Sequence, residues 1–93
     1  MPVVIRARVA GMTAEIYDQM SMQMLEQIKA HKGFIAHAGC PIPGGWEVVE
    51  IWESQEAFDA WIKGTVMPAA GAKGMAPSSV EVQRAHRVEL RNR

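Results

Sequence analysis

Three side chains in this 93-residue sequence are candidates for acid–base catalysis: His37, Glu50 and His86. Glu50 alternates with Trp46 and Trp52 along a strand-like segment, so the three share one face of the predicted strand. His37 lies in the preceding apolar segment, where a carboxylate on a neighbouring strand could orient its imidazole and fix its tautomer. His86 falls in the last alternating segment and is a third candidate.

Apolar and aromatic side chains are the candidates for binding an organic ligand. All three tryptophans lie within residues 44–61, and several methionines and one tyrosine fall on a predicted helical face. Ligand pockets are mostly apolar with a few well-placed polar groups, and this composition suits one. The candidate substrate-binding residues are Tyr17, Met20, Met24, Trp52 and Trp61.

Each candidate also has a purely structural interpretation. A strand glutamate such as Glu50 can point to solvent or into an interface, and His86 could lie inside a dimer. Met20 and Met24, at helical spacing, could be ordinary core. If His37 and Glu50 converge in a cavity within hydrogen-bonding reach, catalysis is favoured; if they are separated or solvated, binding or a structural role is favoured.

Composition excludes several other classes. Ten basic residues balance ten acidic ones, which argues against general binding to nucleic acid or to an anionic membrane. The single cysteine, Cys40, permits no internal disulfide, and no apolar stretch is long enough to span a bilayer, so we expect a cytoplasmic protein. The histidines are scattered, with no HxxxH or CxxC spacing, so we expect no metal and no cofactor.

The elements that must position these residues follow from hydrophobic periodicity and from Gly, Pro and cap residues. We expect one domain, residues 1–93, with Thr13 and Ser54 capping its two helices and Gly33 ending the first. The order β-α-β-β-α-β predicts a ferredoxin-like α+β fold with a four-stranded antiparallel sheet and both helices on one face. The predicted strands are 3–10, 34–39, 46–53 and 80–90, with turn residues 40–45 and a loop at 68–79 near the mouth of the cavity.

The third predicted strand is apolar on both faces. Trp46 and Trp52 alternate with Val49 and Ile51, so both sides of the sheet need cover. The two helices can cover only one side. The simplest second cover is another copy of the chain, which predicts a homodimer packed sheet to sheet.

Three segments of the sequence resemble the antibiotic-biosynthesis-monooxygenase-like group of dimeric α+β barrel proteins. They are "MPVV" at the start of the first strand, "KGF" opening the second, and "WESQEAFDAW" following the alternating stretch of the third. The resemblance covers nearly the whole chain and implies that the face carrying Glu50 lies under the helices. Members of the group include cofactor-independent oxygenases of polyketide anthrones, haem-degrading enzymes, isomerases and proteins of unknown role.

The haem-degrading branch of the group is matched at only one of three positions. Its helix tryptophan corresponds to Trp61, but its first-strand asparagine corresponds to Ala7 and its haem-ligating histidine to Ala70. Alanine offers neither a donor to bound oxygen nor a lone pair to iron. The resemblance therefore does not extend to the residues of standard haem degradation.

Two functions remain after these exclusions. The first is a small cofactor-independent monooxygenase that acts on an aromatic or polyketide-like molecule by acid–base chemistry in an apolar pocket. The alternative is a non-catalytic dimeric barrel that binds a small apolar or aromatic molecule or has a stress-associated role.

Overall fold

A four-stranded antiparallel sheet organises the chain, with the second strand at one edge, the fourth at the other, and the third and first between them in that order. The computed structural model describes residues 1–68 and 77–91. The chain order confirms the predicted ferredoxin-like α+β fold. The elements are β1 (Val3–Ala10), α1 (Ala14–Ala30), β2 (Phe34–Ile42), β3 (Gly45–Trp52), α2 (Gln55–Trp61) with a π-helical continuation (Ile62–Val66), and β4 (Ser79–Arg84).

Side-chain caps begin both helices where the sequence predicts them. The Thr13 hydroxyl accepts a hydrogen bond from the Ile16 amide at 3.2 Å, and the Ser54 hydroxyl accepts one from the Ala57 amide at 3.1 Å. Each bond satisfies a backbone donor that the first helical turn leaves without a partner. Gly33, with φ +90°, makes the turn from α1 into β2.

The register of the sheet places the buried side chains under the helices. On β1, Val3, Ile5, Ala7 and Val9 are all buried. Ile5 lies directly opposite Glu50 of β3, and directly opposed residues project from the same face. The Glu50 side chain therefore lies on the helix side of the sheet, as the resemblance implies.

The hairpin of β2 and β3 differs from the predicted boundaries. β2 continues to Ile42 instead of ending at residue 39, and the turn shrinks to residues 43–44. Because β2 is an edge strand, Pro41 can lie within it without removing a bond between central strands. β3 spans Gly45–Trp52, one residue earlier than the predicted 46–53.

The last strand is shorter than predicted. β4 ends at Arg84, where it pairs with Val3, the first residue of β1. Beyond that pair, β1 has no residues left to form ladder bonds, and the Ala85 amide instead reaches the Pro2 carbonyl at 2.9 Å. The predicted strand 80–90 is therefore wrong after Arg84, and His86 lies outside the sheet. Residues 69–76 of the predicted loop 68–79 lie outside the described residues.

The opposite face of the sheet has no cover within the described residues. Val4, Val49 and Ile51 on this face are only half-buried, whereas both helices pack on the other side. The two-sided apolar pattern of β3 thus leaves an apolar strip facing outwards. Within residues 1–68 and 77–91, neither helix is long and apolar enough to cross a membrane.

Candidate active site

A cavity of about 500 Å³ lies between the two helices and the sheet. Its walls are mostly apolar. The polar side chains among its lining residues are Tyr17, Ser21, Lys29, His37 and Glu50. A mostly apolar volume with a few convergent polar groups has the composition of a site for a small organic molecule.

The cavity exists because the core forms two separate clusters. One surrounds Trp52 and Trp61, and the other surrounds Val9 and Trp46. Ala7 lies on β1 between the buried side chains of Ile5 and Val9, belongs to neither cluster, and lines the cavity. Its single methyl group leaves open a space that a larger side chain on this strand would fill.

His37 and Glu50 meet across neighbouring strands on the cavity side of the sheet. They are directly opposed in the β2–β3 register, and His37 Nδ1 lies 2.7 Å from Glu50 Oε2. Glu50 is the one charged residue buried within the described chain, at 6% exposure, whereas the His37 side chain is 26% exposed. The two residues therefore converge in the cavity, within hydrogen-bonding distance.

Trp52 holds the other oxygen of the same carboxylate. Its indole Nε1–H donates to Glu50 Oε1 at 2.8 Å. Trp52 is fully buried, with its ring edge against Phe34 and Phe58, so it cannot easily turn away. Glu50 is thus fixed at both oxygens, and its position fixes the imidazole of His37.

Tyr17 binds the second ring nitrogen of His37. Its hydroxyl oxygen lies 2.5 Å from His37 Nε2. An ionised Glu50 can only accept hydrogen bonds, so His37 Nδ1 must donate to it. In a neutral imidazole, Nε2 then accepts a hydrogen bond from the Tyr17 hydroxyl group. Glu50, His37 and Tyr17 form a continuous chain of hydrogen bonds, which we call the relay.

Trp46 and Gly39 set the position of the Tyr17 ring. Tyr17 stacks on Trp46 with ring centroids 4.9 Å apart. A Cβ atom added to Gly39 would lie 2.5 Å from the Tyr17 oxygen and 2.8 Å from Trp46 Nε1. Any other residue at position 39 would therefore displace the phenol, so the glycine is a requirement of the relay.

The structure brings most of the predicted site residues together. Met20, Met24 and Trp61 line the cavity beside the relay. Trp52, which was predicted to form part of the cavity wall, does not line the cavity. It donates a hydrogen bond to Glu50 instead. His86 is exposed, beyond the end of β4, and does not line the cavity. We therefore assign His86 no part in this site.

Four contributors were not predicted from the sequence. Ser21 and Lys29 line the cavity from α1. The spacing of four residues between Tyr17 and Ser21 places these two on one side of the helix and was a usable signal. Lys29, twelve residues after Tyr17, is offset by about 120° around the helix and gave no such signal. Trp46 and Gly39 contact Tyr17 across the sheet. No local pattern reports that contact, because it depends on how α1 lies over β2 and β3.

Comparisons with known proteins show the fold and leave the chemistry open. None of the family models matches the chain, and none of the curated proteins does. Among solved structures, SnoaB, a cofactor-independent oxygenase from Streptomyces nogalater, is similar with a TM-score of 0.64 at 17% identity, over 94% of this chain and 93% of that one. The chain thus has the fold of the antibiotic-biosynthesis-monooxygenase-like proteins, as expected from the resemblance.

Two further similar structures have different descriptions. A haem-degrading protein from Mycobacterium tuberculosis has a TM-score of 0.63 at 24% identity, covering 96% of this chain and 99% of that one. A protein of unknown function from Nitrosomonas europaea has a TM-score of 0.66 at 16% identity, covering 97% and 92%. Proteins with this fold are thus described with different activities. The fold alone does not identify the activity of this chain, which must be inferred from the side chains of the site.

The cavity itself gives a first prediction. In Ala7→Leu the added carbons would enter the empty volume, so we expect weaker binding of a fluorescent apolar dye. The free energy of unfolding should rise, by about 0.8 kcal/mol for each methylene that becomes buried. Dye titration and urea denaturation measure the two effects.

Ala60→Leu is the matched control, because Ala60 is exposed on α2 and does not line the cavity. It should leave dye binding unchanged. If the space near Ala7 were closed in solution, the leucine would overpack the core instead, and Ala7→Leu would lose about 1–3 kcal/mol of stability.

Proposed function

We propose that the chain is a small cofactor-independent monooxygenase acting on an aromatic or polyketide-like molecule. The observation that carries this proposal is the relay of Glu50, His37 and Tyr17 at the wall of a largely apolar cavity. The relay can accept and return a proton. The cavity can hold a flat aromatic molecule of a few rings against Met20, Met24 and Trp61.

The reaction requires only proton transfers from the protein. An anthrone has a methylene group whose deprotonation gives an electron-rich carbanion that reacts with O2 directly. Its attack on O2 forms a peroxide, which takes up a proton and then loses water to leave a ketone. The methylene carbon and one O2 thus give a carbonyl and one water, with O2 as the oxidant. The relay of Glu50, His37 and Tyr17 supplies the base for the first step and the acid for the second.

The burial of the Glu50 carboxylate supports this assignment. In a water-poor site the hydrogen bonds of the carboxylate are stronger than they would be in solvent. Glu50 lies opposite His37 at 2.7 Å, so the carboxylate can pair with an imidazolium that forms when a proton arrives. The likeness to SnoaB, described as a cofactor-independent oxygenase, agrees with this chemistry at the level of the fold.

Ala7 and His37 do not provide the side-chain contacts of a standard haem-degrading site. Ala7 carries no donor, and both ring nitrogens of His37, the one histidine among the described lining residues, already have hydrogen-bond partners. Ala70, which corresponds to the haem-ligating histidine, lies outside the described residues. The likeness to a haem-degrading protein therefore supplies no reaction step here.

The alternative function is binding without chemical change. The observation that favours it is the apolar lining, in which Met12, Met20 and Met24 lie along the cavity. Methionine side chains adapt to ligands of different shape. Such a protein would bind the same aromatic molecules and release them unaltered, so turnover separates the two functions.

The central prediction concerns His37. His37→Ala should lower the conversion of an anthrone to its quinone by roughly 10²–10⁴-fold, the usual contribution of general acid–base catalysis. Oxygen consumption and quinone absorbance measure the rate. Light scattering checks that the variant keeps the assembly state of the unmodified protein.

His86→Ala is the control for this experiment, because His86 is exposed and lies outside the cavity. It should keep full activity. Unchanged turnover in His37→Ala would remove the catalytic assignment. Tight anthrone binding with no turnover in the unmodified protein would establish the binding function instead.

A third prediction is weak haem binding. Ala7 has no polar side-chain atom, and both nitrogens of His37 are already hydrogen-bonded. Neither residue therefore has a free atom to bind the haem iron or its oxygen, and a haem titration should give a broad, unsaturated absorbance change. A sharp, shifted Soret band with one-to-one saturation would contradict this expectation. His37→Ala would then identify whether that histidine is the ligand.

We also propose that the open face of the sheet binds the same face of a second copy. Val4, Val49 and Ile51 form a half-buried apolar strip there. The strip is flanked by a surface ion pair between Arg8 and Glu47, whose atoms lie 3.1 Å apart. Arg6 lies opposite Val49 on the same face. Apolar side chains together with arginine are common in protein interfaces.

One chain has a mass of 10.3 kDa. Light scattering at micromolar concentration should therefore report about twice that mass. Ile51→Lys would place a charge in the apolar strip and should give a monomer that still folds, because the side chain points away from the core. Glu53→Lys, just beyond β3 and exposed, is the matched control and should remain dimeric. A monomeric unmodified protein would refute the proposed dimer.

A further inference from the structure

We infer that Tyr17, and not His37, is the residue that exchanges a proton with the substrate. This inference rests on the proposed function, since it names the atom of the same site that contacts the reacting group. Tyr17 lies on α1 and lines the cavity, and its hydroxyl oxygen is the end of the relay.

His37 has no free lone pair to offer a substrate. Its Nδ1 binds Glu50 Oε2 at 2.7 Å, and its Nε2 binds the Tyr17 oxygen at 2.5 Å. A substrate proton could reach Nε2 only if the phenol moved away. Stacking on Trp46 opposes that movement, and so does the close fit of the phenol against Gly39. The Tyr17 oxygen, in contrast, donates one hydrogen bond and keeps acceptor capacity.

An indole N–H without a partner points to charge on the tyrosine oxygen. Trp46 Nε1 is buried and has no hydrogen-bond partner among the described residues. It lies 2.8 Å from the position that a Cβ atom on Gly39 would occupy, and the Tyr17 oxygen lies 2.5 Å from the same position. A buried donor without a partner is uncommon and calls for an explanation. Both atoms border the same point beside Gly39, and we take the Trp46 N–H as the second donor to a phenolate on Tyr17.

The proton transfers balance without any added group. The substrate C–H proton moves to the Tyr17 oxygen while the Tyr17 hydroxyl proton moves to His37 Nε2. The electron pair of the broken bond stays on the substrate carbon, and the positive imidazolium is paired with Glu50. After O2 has added, Nε2 returns its proton to Tyr17 and Tyr17 delivers one to the peroxide. Any phenolate that forms during this exchange lies between the imidazolium and the Trp46 indole.

Tyr17 is the single tyrosine of the chain, which permits an unusually direct test. Growth with fluorotyrosines replaces this one phenol throughout the protein, and the fluorines change its acidity in steps while keeping its shape. Proton abstraction can be measured apart from oxygenation by following deuterium uptake at the methylene of an anthrone in D2O without O2. The quinone yield in air is measured separately.

Tyr17→Phe keeps the ring and its stacking on Trp46 but removes the oxygen. We expect it to bind the anthrone and to lose deuterium uptake by roughly 10²–10⁴-fold. The fluorotyrosine proteins should show uptake rates that follow the acidity of the phenol. Asp18→Asn, exposed on the same helix, is the control and should not change the rate.

Trp46→Phe tests the second donor, because phenylalanine keeps an aromatic ring beside Tyr17 and removes the N–H. It should slow deuterium uptake by about 10- to 100-fold, the effect of losing one hydrogen bond to a charged oxygen. Anthrone affinity should change little, since the indole nitrogen does not line the cavity. Equal losses of affinity and rate would show that Trp46 acts only by shaping the site.

The outcomes separate this inference from the proposed function. Deuterium uptake that survives in Tyr17→Phe but not in His37→Ala would show that His37 takes the proton directly, which overturns the inference and leaves the oxygenase proposal standing. Uptake that depends on Tyr17, without quinone formation in air, would support the inference and refute the oxygenase. No uptake by the unmodified protein would refute acid–base catalysis by the relay altogether.

Discussion

A buried carboxylate is the constraint on which the rest of this structure depends. Glu50 is 6% exposed on a sheet face otherwise covered by apolar side chains. A charge in such a place is costly unless it is paired and hydrogen-bonded. Trp52 supplies one hydrogen bond and His37 the other. Both donors require the register in which His37 lies opposite Glu50, and a slip of one residue would turn every side chain of β2 to the other face.

The sequence contained most of the fold and the central pair of the site, because both follow from local periodicity. Alternation identified the face of Glu50, and the short turn made β2 and β3 neighbours, so the convergence with His37 was predictable. The lengths of β2 and β4 were not, since strand ends depend on where a partner strand stops. The support that Trp52 gives to Glu50 was also missed: the two residues are adjacent on one face, but side-chain direction cannot be deduced from spacing.

The cavity is costly to a chain of this size. A domain of 93 residues buries only a moderate share of its surface, and its core is divided into two clusters around an empty volume. A larger residue at Ala7 would fill part of that volume and gain apolar burial. Retaining a small side chain there sacrifices stability for space, a compromise common at functional sites. The methionines of α1 fit the same interpretation, because flexible side chains can follow the shape of whatever enters.

Strand β3 carries residues of both the proposed catalytic site and the proposed dimer interface, because its side chains alternate between the two faces of the sheet. Its inward residues, Glu50 and Trp52, hold the relay, whereas its outward residues, Val49 and Ile51, form the apolar strip of the open face. Successive side chains point to opposite faces of the sheet. The residues proposed for dimer formation and those proposed for catalysis therefore lie on the same strand but are different residues. Pairing of the open faces would stiffen β3 and hold the His37–Glu50 register against slippage. A second copy would thereby secure the geometry of the site while lying on the far side of the sheet from the substrate.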